Sequence, residues 1–171
     1  MRKGVVVKIS KHRIGLGSEH PYCDSLQNIM IGLFFAVWGV DAFILNYSTV
    51  LVGLIPLLLR LFLAILSLSI GVYLVAKSHK AIFSEVHEHT TLIESGAYSW
   101  VRHPMYLGTL ISCLGFFFAI PSLLSLAVWI AFFLLYNKMA TYEENDLIRI
   151  LGEEYIAYQK RVPKWFPRIR S

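Results

Sequence analysis

The sequence predicts an all-α, polytopic membrane helical bundle with about four transmembrane helices. Three observations carry that prediction: the composition, the lengths of the apolar runs, and where the cations fall between them. Of 171 residues, 56% are hydrophobic and only 16% charged, against about a quarter charged in an ordinary soluble domain. The mean hydropathy is +0.58. The length suits one unit, here a single integral membrane domain over residues 1–171. High apolar content excludes a disordered chain, and two cysteines in different settings, Cys23 in a polar stretch and Cys113 in an apolar run, exclude a disulfide scaffold. The net charge of +5 does not mark a nucleic-acid binder, because the basic residues flank apolar runs and do not interleave with base-stacking aromatics. Anionic lipid headgroups are their natural partners.

Residues 1–25 form a basic tail. The first apolar run, residues 29–45, is interrupted only by Asp41, and the second covers residues 50–76 with Pro56 and Arg60 inside it. A bilayer is crossed by about 20 helical residues, so both can span. The proline moves the second helix to residues 57–77, with Arg60 snorkelling back to the interface. Runs three and four, residues 105–120 and 123–140, are parted only by Pro121 and Ser122, which requires a tight helical hairpin. Beyond them Leu147, Ile148, Leu151, Tyr155 and Tyr158 recur at helical spacing. Residues 143–158 therefore read as an amphipathic helix that caps the bundle or lies on the membrane surface. The transmembrane bundle occupies residues 26–140, and residues 141–171 form a C-terminal helix and tail.

Five of the 16 Lys and Arg precede the first run, Arg60 lies within the second, three lie between the second and third, and seven follow from Lys138 onward. The other two connections carry none. By the positive-inside rule, both termini and the loop 77–104 are cytoplasmic. A cleaved signal peptide does not suit the first run, which follows 28 residues and lacks a small-x-small site. Asp41, four residues from the end of its run, is expected to reach water there, with Arg60 near enough to pair with it.

Residues with chemical potential gather on the cytoplasmic side. The loop 77–104 holds His79, His87, His89 and His103, four of the six histidines, and Glu143 and Glu144 follow the last span. Adjacent acids repel unless water or a cation compensates them. The pair is thus either a solvated helix end or half of a site for a cationic ligand. The other half is GAYSWVRHPMYLG at residues 96–108. Gly96 permits a tight turn, Pro104 suits the first turn of the following helix, and the free N–H groups of that helix start can hold a carboxylate. Tyr98, Trp100 and Tyr106 fit either an interfacial aromatic belt or a stacking surface, and His103 either an interface or a site.

The same residues carry a resemblance. GAYSWVRHPMYLG, then Glu143-Glu144 after a hairpin, then LGEEYIAYQKRVPKWFP at residues 151–167 are similar, in order and interval, to the isoprenylcysteine carboxyl methyltransferase and phospholipid methyltransferase superfamily. The likeness covers residues 77–167. It implies a membrane methyltransferase that binds S-adenosyl-L-methionine on its cytoplasmic side and takes a lipophilic small molecule or lipid from the bilayer. Carried over by residue, it implies cofactor contacts from Thr91, Leu92, Ile93, Tyr98, His103, Pro104, Met105, Tyr106 and Glu143, with Glu144 beside them and the C-terminal helix closing the pocket. Where isoprenylcysteine enzymes carry a substrate-linked arginine, one helical turn before the glutamate, this chain has Met139.

Methyl transfer from a sulfonium is an in-line displacement that needs positioning and electrostatics and no metal. A carboxylate or thiolate acceptor needs no base, whereas an ammonium acceptor needs one, and His103 or a glutamate of the pair can serve. Two other readings stay open. Membrane sterol and steroid reductases, which use a nicotinamide cofactor such as NADPH, share a related R-H-P-x-Y stretch and V-P tail, but carry a basic K-Y-G where this chain has the acidic LGEEY. The other is a four-span membrane protein without catalysis.

Overall fold

A computed structural model of the protein describes residues 23–84 and 92–167, with side chains for residues 25–81 and 92–167. The N-terminal tail through His20, the side chain of Asp24, and His87, His89 and Thr91 lie outside the described residues. Among those described, all regular structure is helical. Helix α1 spans Cys23–Val40 and continues as one wide π-type turn, Asp41–Leu45; α2 is the short Leu51–Leu54 and α3 is Leu57–Ser84. A 3-10 turn, Gly96–Ser99, precedes α4 (Pro104–Ala119), and α5 (Leu123–Leu151) and α6 (Glu153–Arg161) follow. Among the described residues, three stretches are long and apolar enough to cross a membrane: Ser25–Leu45, Leu57–Ala81 and Leu123–Leu151. The apolar α4 is shorter, at 16 residues.

Helices α3 and α4 pack backbone to backbone because glycines line their contact. A Cβ on Gly71 would stand 2.7 Å from the Gly108 carbonyl oxygen, and one on Gly108 would stand 2.8 Å from that of Gly71. Two turns further along α4, a Cβ on Gly115 would stand 2.6 Å from the Leu68 Cγ and 3.1 Å from the Ala64 carbonyl oxygen. Small residues at such a seam let helices associate where lipid provides no hydrophobic drive between them. Helix α5 lies on the other side of α4. The Trp129 indole donates to the Leu110 carbonyl at 2.8 Å, and the Tyr106 and Tyr136 rings stack at 4.4 Å, so contacts recede from the 120–122 turn antiparallel. A core of Phe34, Leu110, Cys113, Phe132, Tyr136, Met139 and Ala140 joins α1, α4 and α5. Met139, at the position expected to be basic in isoprenylcysteine enzymes, is thus a packing residue.

Several expectations are corrected. Helix α3 extends seven residues past Lys77, because nothing from Ser78 to Ser84 breaks it and Ser78 and Ala81 are buried. Glu143 and Glu144 do not open a separate helix. No glycine or proline lies between Leu123 and Leu151, so α5 carries its register straight through them. The expected helix 143–158 is instead broken at Gly152, whose φ of +61° and ψ of −130° are a combination essentially only glycine adopts.

The turn end of the bundle also differs from expectation. Asp41 does not reach water: it is 1% exposed. Its carboxylate accepts from the Tyr47 and Ser48 backbone N–H groups at 3.0 and 3.1 Å and from the Ser48 hydroxyl. Ser48 Oγ in turn accepts from the Leu124 N–H at 3.0 Å and lies 3.3 Å from Ser122 Oγ, fastening the end of α1 to the start of α5. Asn46, at φ +50°, makes the left-handed reversal that brings the Tyr47 and Ser48 amides back over Asp41. Arg60 neither snorkels nor pairs with Asp41. It is buried, and its Nη1 donates to the Ala119 carbonyl at 3.0 Å, satisfying the last turn of α4. In an apolar surround every backbone polar group needs such an internal partner.

Candidate functional site

At the opposite end of α4 and α5, four ionisable side chains from two sequence segments converge. Pro104 occupies the first position of α4, its missing N–H costing nothing there. This places Arg102 and His103 immediately before the helix, facing Glu143 and Glu144 on α5. Both glutamates are buried, at 8% and 7% exposed, so the solvated-helix-end reading is excluded. Arg102 Nε donates to Glu144 Oε1 at 2.8 Å, and Arg102 Nη1 donates to the Gln159 and Val162 carbonyls, both at 3.0 Å.

His103 lies between the two acids, with Nε2 3.0 Å from Glu144 Oε1 and Nδ1 3.5 Å from Glu143 Oε2. A neutral imidazole presents one donor and one acceptor, whereas two facing carboxylates both require donors. Burial alone would lower the His103 pKa, but the hydrogen bonds and charges of Glu143 and Glu144 outweigh it and hold the ring above its ordinary value. The imidazolium and the Arg102 guanidinium together balance the two carboxylates. A charged His103 is the wrong form for a base, which narrows the roles open to it in the sequence.

Tyr106 donates its hydroxyl to Glu143 Oε1 and stacks between His103, at 5.8 Å, and Tyr136, at 4.4 Å. Tyr136 in turn packs on Phe132 at 4.4 Å. An aromatic column therefore runs from the charged cluster into the apolar core. Tyr98 sits behind it, buried with Ile93 and Ala81, and burial raises its pKa. Leu92 packs on the opposite cluster of Tyr155, Tyr158 and Val162, and the Tyr158 hydroxyl donates to the Tyr98 carbonyl at 2.7 Å. Of the residues singled out in the sequence, the structure brings together His103, Tyr106, Glu143 and Glu144 at the start of α4, where Pro104 and Met105 form the first turn. Leu92, Ile93 and Tyr98 flank them.

The C-terminal segment after α6 folds back as a strap. The Arg102 N–H donates to the Pro163 carbonyl at 3.0 Å; Lys164 Nζ donates to Thr141 Oγ1 at 2.7 Å and to the Asn137 carbonyl at 3.2 Å. The Trp165 indole donates to Asn137 Oδ1 at 3.0 Å. Beside this strap lies a cavity of about 690 Å³ whose lining is almost wholly apolar. Ile70, Tyr73, Trp100 and Phe166 form an exposed rim, and Val101 and Leu110 a buried floor. Sequence reasoning missed Arg102, although it stands inside the R-H-P motif. It missed the cavity because its walls come from α3, α4, α5 and the strap, and it missed Trp165 because an aromatic residue in a basic tail carries no signal until the strap folds back. Tyr136, inside an apolar run, had no signal at all.

The donor set fits an amino-acid zwitterion. The His103 side chain does not cap α4, and the positive dipole end of that helix start suits a carboxylate. Among the described residues, Glu143, one turn of α5 away from the core, holds only the Tyr106 hydroxyl and the more distant His103 Nδ1, leaving acceptor capacity for an ammonium.

Fold and site together define a helical membrane protein with a charge-balanced polar site at one end of the bundle and an apolar cavity next to it. The phospholipid methyltransferase family matches residues 48–154, more than half of the chain, and the protein belongs to that family. Protein-S-isoprenylcysteine O-methyltransferase of Mus musculus is 36% identical over 93 residues, 52% of this chain and 31% of its own length. The Homo sapiens enzyme of that name is 34% identical over 93 residues with the same coverage. Cobalt-zinc-cadmium resistance protein CzcN of Cupriavidus metallidurans is 33% identical over 115 residues, 67% of this chain and 51% of its own. The match thus spans about a third of the isoprenylcysteine relatives' length.

Proposed function

We propose that the protein transfers a methyl group from S-adenosyl-L-methionine to a lipophilic acceptor that enters from the membrane. The observation that carries this reading is the buried Glu143–Glu144 pair set against the uncapped start of α4, next to an apolar cavity. Glu143 would take the cofactor's ammonium and the positive end of α4, at Pro104 and Met105, its carboxylate. His103, Pro104, Tyr98, Thr91, Leu92 and Ile93 would complete the pocket, with Glu144 fixing His103 and Arg102. When bound, the cofactor supplies an electrophilic methyl group on a sulfonium. The protein's own part is orientation and exclusion of water.

The cavity takes the acceptor's apolar portion; its volume lies within the about 300–1,000 Å³ usual for small-ligand sites. In this reading α4 crosses the membrane with the three longer helices, giving four spans with both termini and the α3–α4 connection cytoplasmic. The acceptor capacity left on Glu143 favours a cofactor that carries an ammonium over the phosphate-rich NADPH of the reductase alternative. The test is incorporation of label from tritiated-methyl S-adenosylmethionine into solvent-extractable products of membranes containing the protein. Label above that of a Glu143→Ala control supports the reading, and equal label in the two overturns it.

A further inference from the structure

The charged cluster and the apolar cavity meet at one ring. Trp165 lines the cavity, and its ring lies 6.0 Å from that of His103, which does not line it. Trp165 is 9% exposed, packs on Phe133 at 5.5 Å and donates its indole N–H to Asn137 Oδ1 at 3.0 Å. The strap on either side is held as well, by Arg102 to Pro163 and by Lys164 to Thr141. His103 is thus bounded by Tyr106, stacked on it at 5.8 Å, by the carboxylates at its two nitrogens, and by Trp165 where the cavity begins. The cavity itself has an exposed rim, so whatever fills it reaches as far as this indole. An indole is also the aromatic surface that best suits a neighbouring cation.

We propose that Trp165 is a positioning residue that acts through His103: it seals the imidazole from the cavity and keeps Nδ1 on Glu143. The Nδ1 contact, at 3.5 Å, is the longer of the two that His103 makes, and the first to be lost if the ring tilts or binds water. The seal stands on the geometry alone. Its bearing on methyl transfer rests on Glu143 receiving the cofactor's ammonium, as proposed above. The charged and titratable groups around His103 are Glu143 and Glu144 on α5, Tyr106 on α4, Arg102 beside it, and Lys164 on the strap, whose charge bears on Glu144. Burial lowers the His103 pKa and the two glutamates raise it by more. Water admitted at the ring weakens both effects and returns the pKa toward its ordinary value of about 6.5.

The experiment uses the full chain purified in detergent. The contribution of His103 is the difference in melting temperature between a protein and its His103→Gln derivative, followed from about pH 5 to about pH 9. With the folded pKa above the ordinary one, this difference is full below about pH 6.5 and fades as pH rises through the folded value. In Trp165→Leu it should fade at a pH lower by about half a unit or more. Trp129→Phe, which alters another indole of the same cavity, bonded to the Leu110 carbonyl, should leave the fading pH unchanged. In the same samples the S-adenosylmethionine concentration that gives half-maximal thermal stabilisation should rise several-fold in Trp165→Leu and not in Trp129→Phe. An unchanged fading pH or an unchanged S-adenosylmethionine requirement in Trp165→Leu, or an equal displacement in Trp129→Phe, overturns the inference. Should Trp165→Leu fail to fold, Asn137→Leu, which frees the indole N–H and keeps the ring, decides by the same criteria. A wild type without any response to S-adenosylmethionine removes the methyl-transfer reading, and the pH displacement then decides the inference alone.

Discussion

Asp41 at the turn end and Glu144 at the other end of the bundle are both carboxylates withdrawn from water, at 1% and 7% exposed, yet they are satisfied by different means. Asp41 is met by two backbone amides and by the hydroxyls of Ser48 and Ser122, and among the described residues it pairs with no cation. Glu144 is met by Arg102 and His103 from some 40 residues away, and its neighbour Glu143 keeps unused acceptor capacity. The first arrangement is closed: neutral donors surround the carboxylate and no cation takes part. The second is balanced in charge but open at one edge. Burial of an acid in a membrane protein is thus not by itself a sign of function, and what distinguishes the two ends is whether the partners exhaust the carboxylate.

Substitutions at each end break the comparison in different ways. The largest effect is expected for Glu144→Ala, which leaves the buried Arg102 and His103 without their shared partner; removal of one member of a buried pair costs about 3–5 kcal/mol. The detergent-extracted protein should melt far lower, and a near-native melting temperature would show that Arg102 finds full compensation in the Gln159 and Val162 carbonyls. Asp41→Ala strands the Tyr47 and Ser48 amides and should cost about 2–3 kcal/mol. Here the comparison is sharpened by a second readout, because the surviving folded protein should keep its full response to S-adenosylmethionine.

The next effect depends on pH. His103 has a folded pKa above its unfolded value near 6.5, so the stability it contributes is complete below about that pH. It is lost as pH rises through the folded value. Melting temperatures should therefore fall as pH rises above about 6.5 more in the wild type than in His103→Gln, and parallel profiles would contradict a charged His103. The smallest effect belongs to Tyr158→Phe. It deletes the hydroxyl bond to the Tyr98 carbonyl and should cost about 1 kcal/mol in a denaturant or thermal titration.

The helical class and the approximate positions of α1, α3, α4 and α5 were legible because lipid-facing helices announce themselves by composition. Their ends were less so. Gly152 breaks the last helix because of a backbone conformation, and a periodicity argument that follows only Leu147, Ile148, Leu151 and Tyr155 passes over it. Asp41 was misread because a count of distance to the nearest helix end contains no information on the left-handed turn at Asn46 that folds two amides over it. At the site, Glu143, Glu144, His103 and Tyr106 were legible as a motif, and the structure brings these four together. Arg102 and Trp165 were not, since each acquires its role only when the strap returns to α5, a contact between segments some 60 residues apart in the case of Arg102.

The central claim, that the open carboxylate end receives S-adenosylmethionine through Glu143, is tested most directly by thermal stability of the detergent-purified protein with and without S-adenosylmethionine, S-adenosylhomocysteine and NADPH. At about 100 times its dissociation constant a ligand stabilises the folded state by about 2.7 kcal/mol. A rise in melting temperature with the two adenosyl compounds, absent with NADPH, lost in Glu143→Ala and retained in Asp41→Ala, is the predicted result. A rise that persists undiminished in Glu143→Ala, or none with either adenosyl compound, would contradict it.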